Sequence, residues 1–469
     1  MKKFFVAILL VLYLIPTLGM NVFSQEEMVK ESVSAGSHSL DAVLPVLGTT
    51  QLITNAKSAI LYEVNTDTLM HSWNADEKMS PASFVKILTA LIAIEQGDLN
   101  STVTVSQSVL DSVVYNAVKT GFMDTEVLTL QDLLYCMMVD SGNDAAALIA
   151  NHIAGSQSAF VDTLNSYAQE LGCTNTNFTN VHGLHDDNQY TTARDMGRIM
   201  AAAVKNEIFC TIIGTKYYNV PATNLSEDRY LVSENYLINN DTVQIYYDKR
   251  VIGARTGVAQ DGSRCITALA EHNGLRYISV IMGSESVYEE NGVQVKSFGG
   301  YAETSDLLDL GFEGYQSCQL IYNGQILKQK KVLNGDCSVS LGTREAAYAV
   351  LPAGVVLSDL TTAYIDVAEE LQAPVQAGQQ LSTVKFMHGN ICVAQVPLYA
   401  MNHVNSVSEM IIEQPEKSDG QHAKSIMTIL LVAVIAVLLF VAGSRIYKMI
   451  SIRFKYSQGQ KKRRNRRRS

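Results

Sequence analysis

Between residues 51 and 301 the spacing of apolar positions changes period several times, and each change predicts an element. Ala59-Ile60-Leu61-Tyr62-Glu63-Val64 and Thr68-Leu69-Met70, split by Asn65-Thr66-Asp67, predict a strand, a turn and a second strand. Pro81-Ala82 then lead into a helix from Ser83 to about Gln96, closed by Gly97. Thr129 with Asp132 three residues on is a capping signal for a helix ending near Asp140. A further helix over Ala145–Ile153 leaves Ser141-Gly142-Asn143 in a tight connection between two helices. Thr192 and Asp195 repeat the capping signal for a helix running through Val204. The pattern then returns to strands at Val251–Thr256, Cys265–Glu271 and Tyr277–Met282, with Asn273-Gly274 as the turn between the last two. Strands at both ends and helices between them predict one antiparallel sheet with helices packed on it.

From about Gly314 to Val404 the pattern changes to short apolar runs. They are broken by Asn334-Gly335, Pro352-Ala353-Gly354, Ala377-Gly378 and Gly389-Asn390, which predicts a small all-β domain. A polar stretch over residues 405–424, including Glu413-Gln414-Pro415-Glu416-Lys417-Ser418-Asp419-Gly420, reads as a stalk. The 20 residues 425–444 carry no charge, and a helix of that length spans about 30 Å, the thickness of a bilayer's hydrocarbon core. The 25 residues that follow are basic, ending in Lys461-Lys462-Arg463-Arg464 and Arg466-Arg467-Arg468. A nucleic-acid-binding arm is the rival reading of such a tail, but its place just after an apolar span favours a cytoplasmic end and residues 25–424 outside. At the other terminus Lys2-Lys3 precede an apolar run, and Val22-Phe23-Ser24 offers a cleavage segment, so residues 1–24 read as a signal peptide; an uncleaved anchor is the alternative.

Charge changes the picture once these ends are set aside. Of 36 Lys and Arg, 11 follow Ser444 and 2 lie in the first 24 residues, whereas none of the 46 acids does; the exported part therefore carries 23 bases against 46 acids, a net of −23. So acidic a surface argues against nucleic acid as a partner. The cysteines (Cys136, Cys173, Cys210, Cys265, Cys318, Cys337 and Cys392) are odd in number, widely spaced and free of C-x-x-C pairs, so they form neither a disulfide framework nor a zinc site. No H-E-x-x-H occurs and the nine histidines are scattered, which leaves no metal and no cofactor in the reading.

Three segments, in order, carry the candidate chemistry. Ser83-Phe84-Val85-Lys86 places a hydroxyl and an amine one helical turn apart, as a serine nucleophile with a lysine base requires. Ser141-Gly142-Asn143 adds a hydroxyl and an amide, and Arg255-Thr256-Gly257 a cation beside a Thr-Gly pair. Decoys exist for each. Ser382-Thr383-Val384-Lys385 lies in a strand-like run, where positions i and i+3 face opposite ways. Ser233-Glu234-Asn235 also lies in a strand-like run. Lys119-Thr120-Gly121 precedes the Ser-Gly-Asn element and has no strand hairpin after it, so Arg255-Thr256-Gly257 is preferred.

Order, spacing and flanking residues resemble the low-molecular-mass penicillin-binding proteins, the serine D-alanyl-D-alanine carboxypeptidases. Met79-Ser80-Pro81-Ala82-Ser83, Asp140-Ser141-Gly142-Asn143-Asp144-Ala145, Asn180-Val181-His182-Gly183-Leu184 and, in the second domain, Gln372-Ala373-Pro374-Val375-Gln376-Ala377-Gly378-Gln379 all look like family segments. Arg255 in place of Lys, and Val85 in place of Thr before the lysine, depart from the family pattern. The resemblance implies an α+β fold, with a β-lactamase/transpeptidase-like domain over 51–301 and a β-rich carboxypeptidase-associated domain over 314–404. It implies removal of the terminal D-alanine from peptidoglycan stem peptides ending in D-Ala-D-Ala, through an acyl-serine, with β-lactams as inhibitors. Ser83 would be the nucleophile, Lys86 its base and Ser141 a proton relay. Asn143 would hold the substrate amide, and Arg255, Thr256 and Gly257 the carboxylate end. The backbone N–H groups of Ser83 and Val258 would form the oxyanion hole. His182 reads as structural. A cross-link endopeptidase, a β-lactamase and an inactive wall-binding protein are the alternatives; the nearest string to a β-lactamase's deacylating segment, Glu234 to Asn239, is out of register, and the intact Ser83/Lys86 pair opposes the inactive reading.

Overall fold

The computed structural model describes residues 55–407, except 242 and 290–294, and residues 421–465. The expected signal peptide and residues 408–420 of the expected stalk lie outside that range. Strands β1 (Ser58–Glu63) and β2 (Thr68–Trp73) form the expected opening hairpin. Helix α1 (Val85–Gln96) follows a 3₁₀ turn at Ala82–Phe84 and ends at Gly97, as its sequence signals. Then come β3 (Thr102–Thr104), α2 (Gln107–Asp111), β4 (Val127–Thr129), α3 (Leu130–Val139), α4 (Asn143–Ala154), α5 (Gln157–Glu170), α6 (Ala193–Ala203) and α7 (Glu207–Ile213). Both capping signals form: Thr129 Oγ1 accepts the Asp132 N–H at the start of α3, and Thr192 Oγ1 accepts the Asp195 N–H at the start of α6.

A hairpin of β5 (Tyr217–Val220) and β6 (Arg229–Val232) leads to β7 (Val251–Val258), β8 (Arg264–His272) and β9 (Leu275–Ser284). The main sheet is antiparallel in the order β2-β1-β9-β8-β7, so the chain's first and last strands of this region meet at its centre and β7 is left at an edge. Asn273 and Gly274, the turn between β8 and β9, both sit at positive φ, as a two-residue primed turn requires. The short pair β10 (Val287–Tyr288) and β11 (Val295–Ser297) precedes α8 (Tyr301–Gly314). Helix α8 covers one sheet face, with Gly311 against Tyr277 and Leu61. It begins at the expected end of the first domain, so that boundary omits a helix packed on the sheet. On the other side α1 is buried over every residue from Val85 to Ile94. A helix enclosed all round has no solvent face, so a lysine in its first turn must sit in the interior.

The C-terminal region is built of β12 (Tyr315–Ile321), β13 (Ile326–Lys330), β14 (Val332–Leu333), β15 (Val339–Gly342), β16 (Ala347–Pro352), β17 (Thr361–Asp366), β18 (Leu371–Gln372), β19 (Gln380–His388) and β20 (Ile391–Ala400). Strands β12 and β16 pair, β14 pairs in parallel with β18, and a five-stranded sheet runs β13-β15-β20-β19-β17. The all-β expectation matches these elements, and each expected breaker falls at a strand end. By compactness the chain divides into two units: residues 345–365 and 384–396 group with the N-terminal part, and 324–344, 366–383 and the chain from 397 with one another. Helix α9 (Gln421–Asn465) contains the expected apolar span but continues through Arg445 into the basic residues. Its 24 residues Thr428–Ser451 are long and apolar enough to cross a membrane.

Candidate active site

The site is built where the 3₁₀ turn meets the edge strand β7 and the α3–α4 connection. Ser83 lies in the turn, half-buried, one turn from Lys86 in α1. Ala82, just before it, is held at φ +44, a left-handed conformation that costs a non-glycine residue about 1–3 kcal/mol. Its neighbours hold it there. A Cβ on Gly183 would stand 1.7 Å from the Ala82 carbonyl oxygen, and one on Gly257 would stand 2.8 Å from the Ser83 nitrogen. Backbone therefore presses on the Ser83 turn from two sides, and only glycine allows it.

Lys86 is fully buried, and its Nζ donates to the Ser141 carbonyl at 2.8 Å and to Ser141 Oγ at 3.1 Å. Burial, and then the charge of Arg255, hold its pKa well below the ordinary lysine value against the opposing pull of Asp144 and Asp140. A neutral amine has two N–H donors and one lone pair. Ser141 takes both donors, so the lone pair is left for the hydroxyl one turn away. Ser141 itself sits at φ +59 in the connection between α3 and α4. Its Oγ accepts from Lys86 and, at 2.8 Å, from Arg255 Nη2, which leaves its own proton to be donated elsewhere.

Asn143 opens α4 and is almost fully buried; its N–H and Nδ2 both donate to the Val118 carbonyl, at 3.0 and 2.9 Å. Its Oδ1 is the atom left to accept a substrate N–H. The Val118 segment is in turn fixed by Asp144, whose carboxylate accepts the N–H groups of Thr120 and Gly121, each at 3.0 Å. The literal Lys119-Thr120-Gly121 thus lies in a loop propping the Ser-Gly-Asn element, with Lys119 Nζ donating to the Val113 carbonyl. Ser382 is buried inside strand β19, as the sequence pattern suggests for that decoy. Ser233-Glu234-Asn235 differs from expectation: it follows β6 in a turn where Asn235 Oδ1 accepts the Leu237 N–H.

Arg255 is placed differently from the sequence expectation. It is 5% exposed, with Nη1 donating to the Met138 carbonyl at 2.7 Å and Nη2 to Ser141 Oγ, and burial lowers its pKa to about 10. The side chain alternates to the inner face of β7, where the guanidinium braces the α3–α4 connection. Thr256 is half-buried on the opposite face, Gly257 backs the Ser83 turn, and Val258 is exposed. Because the Ala259 N–H is bonded inward to the Ser263 carbonyl, strand alternation turns the Val258 N–H to the open edge of β7. His182 keeps its ring neutral: burial, and then Lys86, lower its pKa to about 4, and Nδ1 accepts the Leu184 N–H. Asn180 Oδ1 accepts the Gly183 N–H, so this segment holds Gly183 against Ala82. Asp144 and the Val118 carbonyl are the contributors that residue-type reasoning misses; a buried acid directly after Ser-Gly-Asn was the available signal.

Comparison with known proteins places this geometry. The profile for the S11 peptidases, D-alanyl-D-alanine carboxypeptidases, matches residues 47–286, and that for the C-terminal domain of penicillin-binding protein 5 matches residues 315–406. D-alanyl-D-alanine carboxypeptidase DacF of Bacillus subtilis is 30% identical over 358 residues, covering 75% of this chain and 86% of that protein. DacA of Haemophilus influenzae is 30% identical over 387 residues, covering 79% and 91%. The crystal structure of penicillin-binding protein 5 from H. influenzae superposes with a TM-score of 0.65 at 29% identity, covering 76% of this chain and all of that one. The fold is therefore a penicillin-binding one, an α+β catalytic region followed by a β-rich domain. Within that class the chain belongs to the D-alanyl-D-alanine carboxypeptidase family, S11.

Proposed function

We propose that this serine-type carboxypeptidase removes the terminal D-alanine of peptidoglycan stem peptides through an acyl-enzyme on Ser83. The observation that carries the reading is Lys86: a buried, charge-depressed amine with both donors committed to Ser141 and its lone pair free one turn from Ser83. Ser83 Oγ attacks the penultimate D-alanine carbonyl and its proton passes to Lys86. The N–H groups of Ser83 and Val258 receive the oxyanion, Asn143 Oδ1 accepts a substrate amide N–H, and the Ser141 proton goes to the departing D-alanine nitrogen. Water then releases the shortened peptide. Arg255 acts by position, fixing the Ser141 hydroxyl and disfavouring a charged Lys86, while Thr256 and Gly257 border the carboxylate end. Penicillins enter as substrates whose acyl-serine persists. No metal or cofactor has a part in this scheme.

The domain reading extends it. Residues 51–301 carry catalysis, with α8 joining them on the sheet, and residues 314–404 form the accessory β domain. The apolar helix gives the protein a membrane anchor over the 425–444 span. Residues 405–424 are the stalk and residues 1–24 the signal. The positive-inside rule sets the catalytic part outside and the 445–469 tail in the cytoplasm.

The test follows D-alanine release from a peptide ending in D-Ala-D-Ala as a function of pH. The wild type releases one D-alanine per peptide, and rate rises with pH as Lys86 loses its proton. Arg255→Ala removes a positive charge that disfavours the protonated amine, so the Lys86 pKa rises and the acid limb moves to higher pH. No release, or a limb that stays where it was while activity falls, would contradict the assigned roles.

A further inference from the structure

Asn143 takes its orientation from a loop. Both of its donors, the backbone N–H and Nδ2, end on the Val118 carbonyl, so the direction of Oδ1 depends on where that carbonyl stands. Val118 lies in the 15 residues 112–126 that join α2 to β4 without helix or strand. A connection that long has few hydrogen bonds of its own to fix it. Its outer residues, Val114, Tyr115 and Val118, have exposed side chains. Asp144 grips the middle through the Thr120 and Gly121 N–H groups, and the exit has a stronger hold.

That hold is Glu126, which is fully buried. One carboxylate oxygen accepts Arg229 Nη1 at 2.6 Å and the Thr223 hydroxyl at 2.8 Å; the other accepts Arg229 Nη2 and the Met123 N–H, each at 2.9 Å. A carboxylate shut away from water is stable only with such partners, so the loop exit cannot leave Arg229 without exposing an unpaired charge to the interior. Arg229 also lies over the Phe122 ring, 5.3 Å from its centroid, and Phe122 directly follows Gly121. Two loop residues are therefore held by one guanidinium.

Arg229 and Thr223 belong to the β5–β6 hairpin, and the hairpin is docked independently on α3. Tyr218 donates its hydroxyl to Asp132 Oδ1 at 2.8 Å, and its ring stacks on Tyr135 at 3.7 Å. Helix α3 ends just before Ser141. The pair thus ties the Val118 carbonyl to the frame that carries the Ser141 hydroxyl.

We propose that the buried Glu126–Arg229 pair is a latch that positions Asn143, pinning the exit of the 112–126 loop so that the Val118 carbonyl stays under both Asn143 donors. Glu126 and Arg229 are positioning residues and touch no reacting atom. The inference rests on the reading of Asn143 as the holder of the substrate amide.

The test is a double-mutant cycle on the full-length protein in detergent, with kcat/KM for a peptide ending in D-Ala-D-Ala expressed per site titrated to completion by penicillin. Asn143→Ala alone should lose about ten- to a hundredfold. Glu126→Gln should lose about tenfold in the wild-type background and less than about threefold in Asn143→Ala, because the residue it positions is already gone. Arg229→Lys keeps a cation but loses the two-pronged contact, and it should give the same pattern if Glu126→Gln does not fold. The same loss in both backgrounds, which a purely structural role predicts, or no loss in either, would overturn the latch. Wild-type turnover in Asn143→Ala would instead overturn the reading of the site beneath it.

Discussion

Lys86→Ala should lower kcat/KM for the D-Ala-D-Ala peptide by about 10²–10⁴-fold, the usual contribution of a positioned general base. The amine is enclosed by a helix buried on every side, which makes the neutral form the stable one and leaves few rotamers. Removing it deprives Ser83 of its proton acceptor, takes the Lys86 donor from the Ser141 carbonyl and leaves the Ser141 hydroxyl with Arg255 as its remaining donor. Lys86→Arg keeps a cation but cannot lose its proton near neutral pH, so it should not restore turnover. Pre-steady-state acylation by penicillin is the direct readout, because it isolates the step in which the base acts. Normal acylation in Lys86→Ala would remove lysine from the mechanism.

A second large effect is expected at a residue with no functional side chain. Gly183 lies at φ +87, and a Cβ there would sit 1.7 Å from the Ala82 carbonyl oxygen. Gly183→Ala must push the Ser83 turn or the Asn180–Leu184 segment aside. A displacement of about 1 Å at a nucleophile can cost about 100-fold in rate, and the left-handed backbone adds strain of about 1–3 kcal/mol. Gly155→Ala is the matched control: it too has positive φ (+76), at the end of α4, but its Cβ would meet nothing within 4 Å. It should lose some stability and little kcat/KM. Comparable activity losses in the two variants would show that the close approach to Ala82 is irrelevant.

Much of this arrangement was legible in the chain. The strand–turn–strand at 59–70, the two Thr-x-x-Asp caps and the Asn273-Gly274 turn are local signals, and each formed where local chemistry placed it. The Ser83/Lys86 pair needed only helical spacing. Helix α8 was not anticipated, because the aromatic and apolar residues it buries against the sheet have a purpose only once β1, β8 and β9 are assembled. The direction of Arg255 was equally hidden. A cation beside Thr-Gly says that charge is needed, but which face of β7 it occupies depends on the register with β8, and its partners, Met138 and Ser141, are more than a hundred residues away. The Ser233-Glu234-Asn235 segment was read as strand from its neighbours in β6, whereas the asparagine's side-chain bond to Leu237 ends the strand just before it.

The central claim is that Ser83 forms the acyl-enzyme. Penicillin incubated with the full-length protein in detergent, followed by proteolysis and mass spectrometry, should place one covalent adduct on the peptide containing Ser83. Ser83→Ala should abolish both that adduct and D-alanine release. An adduct at Ser382 or Ser141, or D-alanine release undiminished in Ser83→Ala, would contradict the account.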